Sequence, residues 1–347
     1  MIDHTLRGIL STIGSTPLVE LERLSVELDL RVHAKVEKFN PGGSIKDRTA
    51  VSMLLDKLYT GELDPARSVV VESSSGNLAI GLAQICRYFG LRFVCVVDAK
   101  TTAHNLNILR AYGADVEVVT EPDPDTGELL PARLRRVREL VATLPHAFWP
   151  NQYANPRNPR AHEQTMREIV TALDDAVDHV FCPVGTTGTL QGCARYARRH
   201  GLRTRIVAVD AVGSALFDPA PPHVARMIPG HGASVRPAIL DPAAPHEIMH
   251  VTDLDCVVGC RTLMAREAIL AGGSSGAAVT ALRRLAPSLP RGSTCVLVLP
   301  DGGDRYLDTV YSDAWVTEKF GAVSHLWEKA TPAIPAERAS FGIVSAI

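Results

Sequence analysis

Lys46 stands in the run Pro41-Gly42-Gly43-Ser44-Ile45-Lys46-Asp47-Arg48, ahead of a stretch of helical character over residues 47–59. The two glycines can take backbone angles closed to other residues and let a bulky group come close. A helix start presents free N–H groups and the positive end of the dipole, which disfavour an ammonium. A lysine so placed is a candidate for a lowered pKa, hence for Schiff-base chemistry with a carbonyl compound. A single lysine at a helix start is more often a plain surface charge, so that chemistry needs partners elsewhere in the chain.

Four further stretches offer them. Ser73-Ser74-Ser75-Gly76-Asn77 lies between a predicted strand and a predicted helix. Small hydroxyl residues in such a turn present N–H and O–H groups to a carboxylate or phosphate, or they simply cap the helix. Gly185-Thr186-Thr187-Gly188-Thr189 is a second strand-to-helix turn, without the lysine of a nucleoside-triphosphate loop. A phosphate monoester held by N–H groups, hydroxyls and a helix N-terminus needs no lysine; the alternative is a tight turn. Gly272-Gly273-Ser274-Ser275-Gly276 opens another helix. Asn151-Gln152-Tyr153-Ala154-Asn155-Pro156-Arg157-Asn158-Pro159 is a polar loop in which Gln152 and Tyr153 either face a substrate or order the loop.

The elements that must position these turns alternate short apolar runs with helical stretches, the pattern of a parallel sheet covered by helices. Strands are predicted over residues 31–36, 68–72, 92–97, 115–119, 179–182, 205–210 and 294–299. Helices are predicted over 47–59, 78–89, 102–112, 131–143, 160–173, 189–200, 253–270 and 276–285. Gly61, Gly90, Gly113 and Gly201 supply the expected stops. Residues 121–128 and 213–245 read as loops, the second carrying Pro229-Gly230-His231-Gly232-Ala233-Ser234. Loops of that length are commonly functional or disordered. From about Phe320 the periodicity fades into an Ala- and Pro-rich tail.

Composition narrows the class. With 347 residues there is room for two domains, and 46% hydrophobic with 21% charged residues is ordinary for a globular protein. A net charge of −2 gives no bulk attraction to nucleic acid or membrane surfaces, and no apolar run has the length of a membrane span. The first residues lack the pattern of a signal peptide, so a cytoplasmic location is expected. The seven cysteines include no CxxC pair and lie mostly in apolar segments, which fits reduced buried thiols and no metal site.

Five motifs occur in the order and spacing of one family: Pro41 to Arg48, Ser74 to Asn77, Gly185 to Thr189, Gly272 to Ala278 and Leu299-Pro300-Asp301-Gly302-Gly303-Asp304-Arg305-Tyr306-Leu307. The chain resembles the cysteine synthase / cystathionine β-synthase family of pyridoxal-phosphate enzymes from about Ser15 to Tyr311. The resemblance implies the α/β fold type II architecture, similar to the tryptophan synthase β chain, with two α/β domains and twisted, mainly parallel sheets. It implies a smaller mobile domain over residues 37–150, a larger cofactor-binding domain over 1–36 and 151–320, and a tail over 321–347. It implies pyridoxal 5'-phosphate as cofactor, amino-acid substrates and a homodimer.

The resemblance also assigns roles. Lys46 would carry the cofactor as a Schiff base and act as general base; Asn77 would bond the pyridoxal 3' oxygen. Gly185, Thr186, Thr187, Gly188 and Thr189 would hold the cofactor phosphate. Ser274 would face the pyridine nitrogen, where a neutral hydroxyl favours loss of a β-leaving group over transamination. Ser73, Ser74, Ser75, Gly76 and Gln152 would bind the substrate carboxylate. Tyr153, Gly230 and Ser234 would complete the substrate wall. The implied chemistry is β-replacement through an α-aminoacrylate.

Some positions depart from the cysteine synthase pattern. Leu78-Ala79 replaces Thr-Gly, Thr186-Thr187 replaces Thr-Gly, Tyr153 replaces the common Phe, and the loop ending in Ser234 is altered. Cys95-Val96-Val97-Asp98-Ala99-Lys100, Asn151 to Asn155 and Val310-Tyr311-Ser312-Asp313-Ala314-Trp315 are similar to a specialised branch. That branch joins O-phospho-L-serine to the amine of L-glutamate and releases phosphate, on the way to 2,3-diaminopropionate for siderophores or nonribosomal peptides. A site for those anions needs cations, with Arg133, Arg135, Arg157, Arg167, Arg226 and Arg236 as candidates. The alternatives are a cysteine synthase using phosphoserine or acetylserine with sulfide, and a catalytically silent pyridoxal-phosphate carrier.

Overall fold

The structure, a computed structural model, describes residues 8–125, 127–218 and 224–328. Among them the strands are β1 (Leu18–Glu20), β2 (Arg31–Val36), β3 (Val69–Ser73), β4 (Arg92–Asp98), β5 (Asp115–Val119), β6 (Ala147–Phe148), β7 (His179–Pro183), β8 (Arg205–Ala211), β9 (Glu247–Val251) and β10 (Thr294–Leu299). The α-helices are α1 (Glu22–Leu28), α2 (Lys46–Tyr59), α3 (Asn77–Phe89), α4 (Ala103–Ala111), α5 (Leu129–Thr143), α6 (Arg157–Ala172), α7 (Gly188–Arg199), α8 (Asp253–Glu267), α9 (Gly273–Leu285) and α10 (Asp313–Phe320). The part of the expected tail beyond residue 328 lies outside the described residues.

Two sheets form. One runs β1-β2-β10-β7-β8-β9 and is parallel except for β1; the other runs β5-β4-β3-β6 and is wholly parallel. Every residue of β10 and of β3 is buried. Their continuous apolar runs are what a strand covered on both faces requires. Alternate residues feed opposite faces. In the larger sheet, Val32, Ala34, Leu297 and Leu299 pack under α8 and α9, while Val296, Val298 and Val180 pack under α6 and α7. In the smaller sheet, Val70, Phe93 and Cys95 meet α2 and α3; Val69, Val71 and Val96 meet α5.

The predicted strands 31–36, 115–119 and 294–299 match β2, β5 and β10 residue for residue. The sequence reading did not find β1, β6, β9, α1 or α10. β1 and β6 have three and two residues, too few to show a period. β9 is an edge strand whose half-exposed Glu-Ile-Met-His-Val lacks a continuous apolar run.

A buried ionic network ties α2 to its surroundings. Arg48 bonds both oxygens of Glu37 and both of Glu168 on α6, and Lys35 pairs with Glu168 at 2.7 Å. All seven cysteines are buried and unpaired. Among the described residues, no helix is long and apolar enough to cross a membrane. Nor is any group of three His, Cys, Asp or Glu placed to hold a metal ion.

Candidate active site

Parallel strands place the residues that follow them at one edge of the sheet, where open α/β folds bind ligands. Here Glu37 to Lys46 follows β2, Ser74 to Asn77 follows β3, Val184 to Gly188 follows β7, and Pro300 to Tyr306 follows β10. These segments, with the stretch after β8, enclose a cavity of about 400 Å³. Of the expected site residues, Lys46, Ser73, Ser74, Ser75, Gly76, Asn77, Gln152, Tyr153, Gly185, Thr186, Thr189, Gly230, Ser234 and Ser274 line it. Thr187 and Gly188 are buried behind the lining.

Lys46 is the first residue of α2. Among the described residues its Nζ has no hydrogen-bond or ion-pair partner. Burial lowers its pKa, against the opposing charges of Asp301 and Glu37. Removal from water thus comes first among the causes, where the sequence pointed to the helix dipole. The turn before it closes on itself, because Gly42 N–H donates to Asp47 Oδ2 at 2.5 Å. A Cβ on Gly42 would stand 2.5 Å from Asp47 Oδ1, so no other residue fits there without displacing Asp47.

Asn77 is not an idle amide. Its Nδ2 donates to Asp301 Oδ2 at 2.8 Å, and its Oδ1 accepts from Arg305 Nη1. Tyr306 donates to the same Asp301 oxygen at 2.9 Å. Burial raises the Asp301 pKa, and Asp301 Oδ1 is left buried without a partner. One amide N–H of Asn77 remains for another acceptor.

The turn before α7 is an anion cradle. Thr187 takes a left-handed conformation, φ 66°, and makes no side-chain cap. The first N–H groups of α7 therefore have no capping partner from that residue. Thr187 Oγ1 is itself buried without a partner. A Cβ on Gly185 would meet the Gly230 carbonyl oxygen at 2.6 Å, so the turn and the 229–234 loop touch. A lysine amine, an uncapped helix start with hydroxyls, and the Ser274 hydroxyl form one donor set in one cavity, and that set fits pyridoxal phosphate.

The remaining wall is polar. Glu72, buried and raised to about 7 by desolvation, accepts from Trp149 Nε1 at 3.0 Å and Ser73 N–H at 2.8 Å, which seats the start of the serine turn. Arg133 on α5 lies 3.3 Å from Asp98 and donates to Ser75 Oγ at 3.3 Å. Asn105 donates to the Ser75 carbonyl at 3.0 Å. Burial raises the Tyr153 pKa, so its hydroxyl stays protonated. His231 is buried, and neither ring nitrogen has a partner of hydrogen-bond geometry. Burial and then Arg226 lower its pKa to about 4, so the ring is neutral.

Of the six candidate arginines, Arg133 and Arg226 line the cavity. Arg157 pairs with Asp56 at 2.5 Å and Arg135 with Asp123; Arg167 and Arg236 are exposed. The sequence reading gave no role to Asp301, Arg305, Tyr306, Glu72 or His231. The first three lie in a motif it quoted, and charged residues just past a buried parallel strand were the available signal.

The family model described as pyridoxal-phosphate dependent enzyme matches residues 9–301. N-(2-amino-2-carboxyethyl)-L-glutamate synthase of Ralstonia nicotianae is 48% identical over 311 residues, covering 89% of this chain and 91% of that protein. A variant of O-ureido-L-serine synthase, solved with O-ureido-L-serine bound, superposes with a TM-score of 0.80 at 33% identity, over 92% of this chain and 100% of that one. O-acetylserine dependent cystathionine β-synthase from Helicobacter pylori gives a TM-score of 0.80 at 28% identity, over 89% and 99%.

Proposed function

This chain belongs to the family of pyridoxal-phosphate-dependent enzymes, of fold type II, and on that premise we propose that its cavity joins O-phospho-L-serine to the amine of L-glutamate. The products are N-(2-amino-2-carboxyethyl)-L-glutamate and phosphate. The observation that carries this reading is the 48% identity to the named synthase across 89% of the chain. The polar wall of the cavity supports it, since a small sulfide nucleophile needs no such lining. The cysteine synthase alternative has correspondingly less support.

Bound pyridoxal phosphate supplies an aldehyde that condenses with amines and a ring that withdraws electrons from the α-carbon of the condensed amino acid. We assign Lys46 Nζ to hold it. Burial favours the neutral amine there, which suits it to take the α-proton of phosphoserine as general base. We assign Gly185 to Thr189 and the start of α7 to the cofactor phosphate, Ser274 to the ring nitrogen, and the free amide N–H of Asn77 to the ring oxygen. Ser73 to Gly76, with Gln152, bind the substrate carboxylate. Arg133 and Tyr153 meet the leaving phosphate, with Arg133 held in place by Asp98. In the overall exchange a Cβ–O bond breaks, a Cβ–N bond forms, and the proton that the amine gives up leaves on the phosphate as hydrogen phosphate.

We place the product in 2,3-diaminopropionate synthesis for a siderophore or nonribosomal peptide, made by a cytoplasmic homodimer with a smaller mobile domain over residues 37–150. The test is incubation of the holoenzyme with phosphoserine and glutamate, reading phosphate release and product mass. Phosphate release that requires glutamate, with the mass of the joined amino acids, is the expected outcome. Cysteine formation from sulfide without glutamate-dependent release overturns the reading.

A further inference from the structure

We propose that Arg226 and Ser234 form the subsite that recognises the side-chain carboxylate of the second amino acid. The proposal rests on the reaction given above and names the residues that select glutamate among amines.

Three arginines line the cavity, and they differ in what already occupies them. Arg133 is paired with Asp98. Arg305 donates through Nη1 to Asn77 and through Nη2 to the Gly42 carbonyl at 2.9 Å. Among the described residues, the one hydrogen bond of the Arg226 guanidinium goes to a neutral hydroxyl, Ser234 Oγ, at 2.7 Å through Nη2. Among the described residues no carboxylate stands within ion-pair distance of its guanidinium. It is half-buried, and the buried Asp210 acts on it only through space, so its fork keeps donors that no carboxylate takes up directly.

The local backbone comes close to that guanidinium. Gly232 adopts φ 69°, and a Cβ there would stand 2.7 Å from Arg226 Nη1. The same loop touches Gly185 through the Gly230 carbonyl, which sets Arg226 and Ser234 beside the phosphate turn. The serine turn that takes the α-carboxylate follows β3 of the smaller sheet, whereas Arg226 and Ser234 follow β8 of the larger one. The two substrates thus have anion sites on segments of different sheets.

A guanidinium beside a hydroxyl matches the two oxygens of a carboxylate. A neutral analogue would leave the half-buried cation without its partner, and an unpaired polar group is the stronger source of discrimination. Glutamine has nearly the same shape as glutamate and lacks the charge, so it is the informative comparison. The leaving phosphate is the other anion of the reaction, and separate kinetics for the two substrates distinguish them.

The experiment measures phosphate release by wild type, Arg226→Gln, Arg226→Lys and Ser234→Ala, varying phosphoserine and glutamate separately, with glutamine as second nucleophile. The change in the visible absorbance band on adding phosphoserine alone reports that each variant is folded and binds the first substrate. Arg226→Gln is expected to raise KM for glutamate tenfold or more, to change KM for phosphoserine less than twofold, and to cut the preference for glutamate over glutamine tenfold or more. Arg226→Lys keeps part of the preference, and Ser234→Ala shows a smaller rise in the same KM. An Arg226→Gln enzyme with unchanged KM for glutamate and unchanged preference overturns the subsite, as does an equal rise in KM for both substrates. If wild type itself shows no glutamate-dependent phosphate release, the reaction falls and the subsite with it.

Discussion

Asn77 and Asp301, 224 positions apart, meet through a 2.8 Å hydrogen bond beside Lys46. The bond joins the first residue of α3, which packs on the smaller sheet, to the turn that follows β10 of the larger sheet. Asp301 also raises the Lys46 pKa against the effect of burial. One carboxylate therefore positions an amide and moderates the amine. Asp301→Ala is expected to leave the Asn77 amide and the Tyr306 hydroxyl without their acceptor. Each unsatisfied buried group costs about 1–3 kcal/mol. Thermal unfolding of cofactor-free protein should show the loss, and titration with pyridoxal phosphate should show weaker binding.

Lys46→Ala is expected to abolish turnover while the chain stays folded. The side chain has no hydrogen bond or ion pair among the described residues, so its removal breaks no contact of that kind. Circular dichroism should be unchanged and phosphate release should vanish; retained release would refute the assignment.

Two carboxyls, the half-buried Glu168 and the buried Glu72, predict opposite pH dependences of stability. Burial pushes Glu168 up, but the hydrogen bonds and charge of Arg48, with Lys35 and the Ser15 N–H, hold it at about 2. Its contribution is full above the ordinary value of 4.5 and is lost as pH falls towards 2. Glu168→Gln should destabilise the fold at neutral pH, because Lys35 loses its charge partner while Arg48 keeps Glu37, and should flatten the acid limb. Glu72 is raised to about 7 by burial. Between its ordinary 4.5 and 7 the folded chain keeps a proton that the unfolded chain has lost, so stability falls as pH rises through that window. Glu72→Gln should remove that fall. Urea midpoints from pH 3 to 8 check both.

The Ser73 to Asn77 segment is expected to close over bound phosphoserine, since excluding water protects a reactive intermediate. Amide exchange over residues 73–77 should slow on adding phosphoserine. Equal exchange in free and substrate-bound protein would count against closure.

The local chemistry was legible in the chain. Glycines and small hydroxyl residues between an apolar run and a helical stretch predict their own turn, because backbone freedom and capping act over a few residues. Of the 16 residues expected at the site, 14 line the cavity, all but Thr187 and Gly188; the turns themselves were legible locally, whereas the roles expected of them came from the family resemblance. The strands β2, β5 and β10 were read correctly: β10 is a continuous apolar run buried throughout, whereas β2 and β5 alternate apolar with polar residues and are partly exposed. The partnerships were not legible. Asn77 with Asp301, Arg48 with Glu168 across 120 positions, and Arg133 with Ser75 depend on which strands lie side by side and on their register. Six arginines looked alike in the chain, and only the fold brought Arg133 and Arg226 to the cavity. Sequence sets what each segment can do over a few residues; the sheets decide which charges, far apart along the chain, come to share one low-dielectric space.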